Sequence, residues 1–178
     1  MPEANLHNGL QTISLLFSYP DRTWASTPIP QDLMEDAWKL IAEMRALDPI
    51  ALENEYIRLF VNSMPEVPCA PYGSVYLEGT VMGESTLKVA DIYRQYGLVP
   101  EEMADHIAVE AEFLAWLSDR MDESEENRKH FAFLLGHLQK WTTDFFERVE
   151  RHDRLSCYRR GAGVARHVLL GTVSSVTL

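Results

Sequence analysis

The chain has only two cysteines, Cys69 and Cys157, in 178 residues, and they form no Cys-x-x-Cys pair. That excludes a disulfide-stapled scaffold and a cysteine-based zinc module, and it makes a reducing cytoplasm the expected compartment. No run of Lys or Arg stands against a formal net charge of -11. Such a chain repels nucleic-acid phosphates and anionic lipid, and it attracts cationic partners. No apolar stretch approaches the roughly 20 residues of a spanning helix. The opening MPEANLHNGLQTISLLF has neither a positive n-region nor a small-residue cleavage site, so no export signal is expected there.

Catalytic and nucleotide signatures are equally scarce. There is no Gly-x-Ser-x-Gly and no Gly-x-x-x-x-Gly-Lys-Ser/Thr. GAGVAR at 161–166 holds two glycines of a dinucleotide fingerprint but follows no strand, so close helix packing explains it better. Neither Glu-x-x-His nor His-Glu-x-x-His occurs, which removes the usual helical metal-ligand schemes.

What is present is helical periodicity. Leu6, Leu10, Ile13 and Phe17 share a stripe that Tyr19-Pro20-Asp21 ends. Residues 31–46 place Leu33, Ala37, Leu40, Ile41 and Met44 on one face. Asp48-Pro49 reads as an N-cap and first turn for a helix running to about residue 62. Further helices are expected from near Val81 to Tyr96 with Gly97 at C′, over 105–121, over 124–150 and over about 153–172. Short strands at VYL or VSSVTL are the only alternatives to helix. The expected fold is therefore all-α, one domain over 1–178 with about seven helices. One segment interrupts it. SMPEVPCAPYGSVYLEG, residues 63–79, carries three prolines and two glycines in 17 residues and is expected to be an ordered loop rich in aromatics.

Residues 104–114, ADHIAVEAEFL, concentrate Asp105, His106, Glu110 and Glu112. Three chemistries fit such a stretch. His106 and Glu110, four apart on a helix, could supply two metal ligands, which a small helical metalloprotein or metal carrier would complete with a third elsewhere. An acid/base pair is a second reading. A capped helix start, with Asp105 as N-cap and the carboxylates on a solvated face, is the third. A plain structural subunit is the remaining option for the chain as a whole.

Taken in order, the motifs resemble the TorD/DmsD/NarJ family of redox-enzyme maturation chaperones. The carrying segments are Tyr56-x-x-Leu59-Phe60, then Pro71-Tyr72-Gly73-Ser74-Val75-Tyr76, Tyr93-x-x-x-Gly97-Leu98, Asp105-His106 and Glu110-x-Glu112-Phe113-Leu114, with His137-Leu138-x-x-Trp141 in the last long helix. The likeness spans roughly residues 10–170. The chain departs from the pattern at Ala104, where proline is common; proline would stiffen the entry to Asp105, and alanine leaves room for a looser loop.

The resemblance implies a TorD-like helical chaperone without catalytic turnover, cofactor or metal of its own. Its implied partner is the immature catalytic subunit of a molybdenum-dependent oxidoreductase, the subunit's N-terminal twin-arginine signal peptide, or both, met in the cytoplasm by a monomer or dimer. A signal peptide is an apolar segment flanked by positive charge. Its receptor needs an apolar groove with an acidic rim. On this reading Tyr56, Leu59 and Phe60 shape the core under the loop. Pro71, Tyr72, Ser74, Val75 and Tyr76 line the groove, His106 offers a polar group at its edge, and Asp105, Glu110 and Glu112 form the rim.

Overall fold

The computed structural model describes residues 3–29 and 35–176. Nine α-helices and no β-strand occur among them. In chain order they are α1 (Glu3–Phe17), α2 (Arg22–Ser26), α3 (Glu35–Ala46), α4 (Pro49–Tyr56), α5 (Gly73–Glu78), α6 (Glu84–Gln95), α7 (Ile107–Ser118), α8 (Glu125–His152) and α9 (Cys157–Val176). A π-helical turn, Ile57–Val61, extends α4. The all-α expectation holds: VYL falls inside α5, and the described part of VSSVTL, 173–176, inside α9. Leu33 lies outside the described residues.

The stripes read from periodicity are the core. Leu10, Ile13, Phe17, Ala37, Leu40, Ile41 and Met44 are buried, and so is the α8 stripe from Phe131 to Val149. α1 packs along both α7 and α9, and α8 packs on α5, α7 and α9. Gly9 permits the close α1–α9 approach, since a Cβ there would sit 2.8 Å from Val168 Cγ1. At the centre, Phe17, Tyr56, Phe60, Phe145 and Tyr158 interlock, mostly edge to face, with centroids about 5–6 Å apart.

Two expected ends are built as the residues dictate. Asp48 accepts from Ile50 N at 3.2 Å with Pro49 in the first turn. Gly97, at φ 70°, closes α6: its N–H donates to Arg94 O, and that of Leu98 to Tyr93 O.

Two helices exceed the seven expected, and both are short. α2 forms because Asp21 accepts from Trp24 N at 2.8 Å. α5 lies inside the segment read as a loop, and its stabilising partner is distant in sequence. Glu78, at the end of α5, in turn accepts from Glu84 N and Ser85 N. This moves the start of α6 to residue 84 and leaves Val81 exposed.

Candidate functional site

The two segments singled out by sequence meet. Tyr72 and His106 form an isolated antiparallel bridge: Gly73 N donates to Asp105 O at 3.0 Å, and Ile107 N to Pro71 O at 2.9 Å. The Asp105 side chain then accepts from Ser74 N at 2.8 Å. Asp105 therefore caps α5 across 31 residues of sequence rather than opening its own helix, as periodicity suggested. The N-cap of α7 is His106, whose Nδ1 accepts from Ala108 N at 3.1 Å.

Beneath this staple lies a buried ion-pair site. Glu110 Oε1 and His137 Nδ1 are 2.7 Å apart. Burial drives the Glu110 pKa up, opposed by the His137 hydrogen bond, and leaves it raised. Burial alone would pull His137 down; the hydrogen bond and charge of Glu110 outweigh it, so His137 is raised as well. Each group thus holds its proton to higher pH than it would free in water. Gly73 fits over it because it lacks a side chain: a Cβ would fall 2.8 Å from Trp141 Nε1 and 2.9 Å from His137 Cε1. Ser74 Oγ, Asp105 Oδ1, Glu110 Oε2 and His137 Nε2 are buried with no hydrogen-bond partner among the described residues.

This arrangement corrects the acidic-rim expectation. Asp105 and Glu110 are 0% exposed and cannot edge an open groove. Glu112 is exposed, but two positions along a helix is about 200° around its axis, so it points away from Glu110 and the staple. Tyr56, Leu59 and Phe60 are likewise buried, with Tyr56 Oη donating to Phe17 O and Leu59 O accepting from Cys69 N. They support the loop from inside, and a docked chain would not touch them in this conformation. Pro71 and Ser74 are buried too.

What faces solvent at the staple is Tyr72, Val75 and Tyr76, all half-buried. Tyr72 packs edge-on against His106 with centroids 5.4 Å apart, and its hydroxyl lies 3.5 Å from Glu102 Oε1. Tyr76 stacks on Trp141 at 5.5 Å, with the Arg148 guanidinium 5.0 Å from its ring centroid. Alanine at position 104 does not loosen the entry. Its carbonyl accepts from Tyr93 Oη at 3.0 Å, and His106 N donates to Met103 O.

The metal and acid/base readings lose their geometry. His106 Nδ1 is occupied by a backbone N–H, and Glu110 turns to His137 instead. Among the described residues no group of three His, Cys, Asp or Glu side chains is placed to hold a metal ion. Burial pushes both cysteine thiols up to about 12, so neither is an activated nucleophile.

A model of the nitrate reductase delta subunit family matches residues 27–147. The chain belongs to this family, the TorD/DmsD/NarJ group of redox-enzyme maturation chaperones. It is 28% identical to the Tat proofreading chaperone DmsD of Salmonella typhimurium, over 89% of this chain and 84% of that one. It is 28% identical to the chlorate reductase assembly chaperone protein of Ideonella dechloratans, over 84% and 78%. Among solved structures, a redox enzyme maturation protein assigned in Archaeoglobus fulgidus superposes with a TM-score of 0.69 at 32% identity, covering 92% of this chain and 93% of that one. The TorD-like fold expectation is met. No described helix is long and apolar enough to cross a membrane.

For a TorD-group chain, the family motifs now have physical work. Pro71-Tyr72-Gly73-Ser74 and Asp105-His106 are the two halves of one staple, and Glu110 with His137 is its buried footing. Sequence reasoning noted His137 seven residues from His130 on one helix and again through the resemblance, but gave it no place in the site. A further signal was available: His137 is in phase with Leu134, Leu138 and Trp141, so a histidine sits on a buried stripe and requires a polar partner there.

Proposed function

We propose that this chain is the maturation chaperone of a molybdenum-dependent oxidoreductase of the dimethyl-sulfoxide-reductase type. It binds the cofactor-free catalytic subunit, its twin-arginine signal peptide, or both, in the cytoplasm, and releases them when assembly is complete. The observation that carries this reading is the staple. Two loop segments some thirty residues apart are locked by backbone pairing and a buried carboxylate. Asp105, His106, Glu110 and His137 are turned inward, and Tyr72, beside Glu102, and Tyr76 form a half-buried aromatic edge.

Such an edge suits recognition rather than turnover. Aromatic side chains bring large contact area with few rotatable bonds, so little conformational entropy is lost on docking. A chain of net charge -11 accelerates encounter with a basic, apolar segment. DmsD of Salmonella typhimurium, named a Tat proofreading chaperone, supports the signal-peptide part. The chlorate reductase assembly chaperone supports the part concerning enzyme assembly.

Isothermal titration calorimetry with the signal peptide of a molybdenum-dependent oxidoreductase from the same cells tests the reading. One-to-one binding is expected, weakened about tenfold or more by Tyr72→Ala, as for loss of an aromatic anchor worth about 1.5–2 kcal/mol. Absence of binding both to the peptide and to the cofactor-free subunit would remove the reading.

A further inference from the structure

We propose that the flank of α7 turned away from the staple is a distinct peptide groove, in which Glu112 receives an arginine that precedes an apolar segment of the bound chain. This rests on the chaperone reading above and specifies a contact that reading leaves open.

Val109, Glu112, Phe113 and Trp116 stand at i, i+3, i+4 and i+7 and so share one face of α7. Glu112 lines two adjoining cavities. The larger, about 460 Å³, lies against α1 and α2 and has a polar wall that includes Ser14, Ser18 and Asp21. The smaller, about 290 Å³, is lined by Tyr93, Leu98, Val99, Pro100, Val109, Phe113 and Trp116 besides Glu112. The Leu98-Val99 wall follows directly on the glycine that ends α6, which throws both side chains outward; they are 41% and 84% exposed.

Charge decides what fits. Among the described residues, Glu112 and Asp21 are the only charged ones lining either cavity. One Asp21 oxygen is committed to capping α2, whereas the exposed Glu112 side chain has no hydrogen bond or ion pair among the described residues. Two arginines packed on tryptophans that line the cavities are already engaged: Arg45 donates to Trp24 O and Thr27 O, and Arg120 lies over the Trp116 ring while donating to Trp116 O. A slot walled by aromatic and aliphatic groups, joined through an unpaired carboxylate to a polar, acidic trough, matches a chain that is cationic and then apolar. A planar guanidinium can meet a carboxylate with two hydrogen bonds, so arginine fits better than lysine.

The test uses the full-length chain and a fluorescein-labelled synthetic peptide with two arginines before six apolar residues. A second peptide replaces both arginines with glutamate. Fluorescence anisotropy gives Kd, and light scattering gives oligomeric state. Glu112→Gln is expected to weaken the arginine peptide about fivefold, the upper end for one exposed ion pair. Glu112→Arg should weaken it further and tighten the glutamate peptide, a reversal that mere destabilisation of α7 does not produce. Val99→Asp, at a position open to solvent, should weaken binding about tenfold without changing the melting temperature. If wild type binds but Glu112→Arg leaves the two peptides in the same order, the groove assignment is wrong and the chaperone reading stands. Val99→Asp changing only the oligomeric state would mark the slot as an interface between copies and overturn the proposal. If neither the arginine peptide nor the natural signal peptide binds wild type, the groove assignment falls, and the chaperone reading then rests on binding of the cofactor-free subunit, measured separately.

Discussion

Replacing Asp105 by alanine removes the cap that makes α5 a helix. The carboxylate accepts from Ser74 N at 2.8 Å, and both residues are 0% exposed. A hydrogen bond to a charged group contributes about 1.5–3 kcal/mol, and a buried N–H left without a partner costs about 1–3 kcal/mol. These overlap, being two views of one loss. Part is recovered, because Asp105 Oδ1 has no hydrogen-bond partner among the described residues and its burial is itself unfavourable. The net expectation is about 2 kcal/mol of lost stability. For a chain of this size that lowers Tm by about 4–8 °C. Asp105→Asn keeps an acceptor of the same shape and should lose about half as much. Urea denaturation followed by far-ultraviolet circular dichroism measures both variants, and hydrogen exchange at Gly73–Glu78 localises the change. Faster exchange there, with α8 still protected, is the predicted pattern. A loss below about 0.5 kcal/mol for the alanine variant, the range of ordinary surface substitutions, would refute the staple. Because the staple positions Tyr72, weaker peptide binding by this variant is expected to accompany the stability loss.

His106 and His137 give opposite pH dependences. Burial lowers His106 to about 4, below its ordinary 6.5; its contribution is complete above pH 6.5 and declines as pH falls toward 4, since protonated Nδ1 cannot accept from Ala108 N. His106→Asn retains a good cap without titrating, so it should cost about 1 kcal/mol at pH 7 yet flatten the decline between pH 6.5 and 4, read from urea midpoints; an unchanged decline would contradict the assignment. The raised His137 contributes fully below pH 6.5 and loses that contribution as pH rises through its folded value, and the raised Glu110 acts in the same direction above its ordinary range. Replacing both partners, Glu110→Gln with His137→Gln, should therefore abolish the fall in stability above pH 6.5, whereas His137→Gln alone leaves Glu110 buried without its partner; a slope in the double variant matching wild type would show that the pair is not its source.

The helices that position the site were legible because their signals are local. The α8 stripe, the Asp48 cap and the Gly97 stop each lie within a few residues of the feature they specify. α5 was not, because its cap is Asp105, 31 residues away, and the flanking prolines and glycines otherwise read as loop. The same distance misassigned Asp105 to its own helix. Glu110 and Glu112 were grouped as one acidic edge by their nearness in sequence, whereas helical geometry sends one to His137 in the core and the other to solvent. The aromatic triplet Tyr56, Leu59 and Phe60 was correctly read as core beneath the loop. The resemblance singled out these segments; the structure shows that they meet in a closed staple, with Glu112 on another flank of α7.

The central claim is that this chain holds a redox enzyme before the enzyme is complete. Capture of the untagged client through this chaperone from its own cells, with the captured protein identified by mass spectrometry and its molybdenum content measured, tests it most directly. The account predicts the catalytic subunit of a molybdenum-dependent oxidoreductase, low in metal and with its N-terminal signal uncleaved. Capture of only the mature, metal-loaded enzyme, or of no oxidoreductase in cells that are making one, would contradict it.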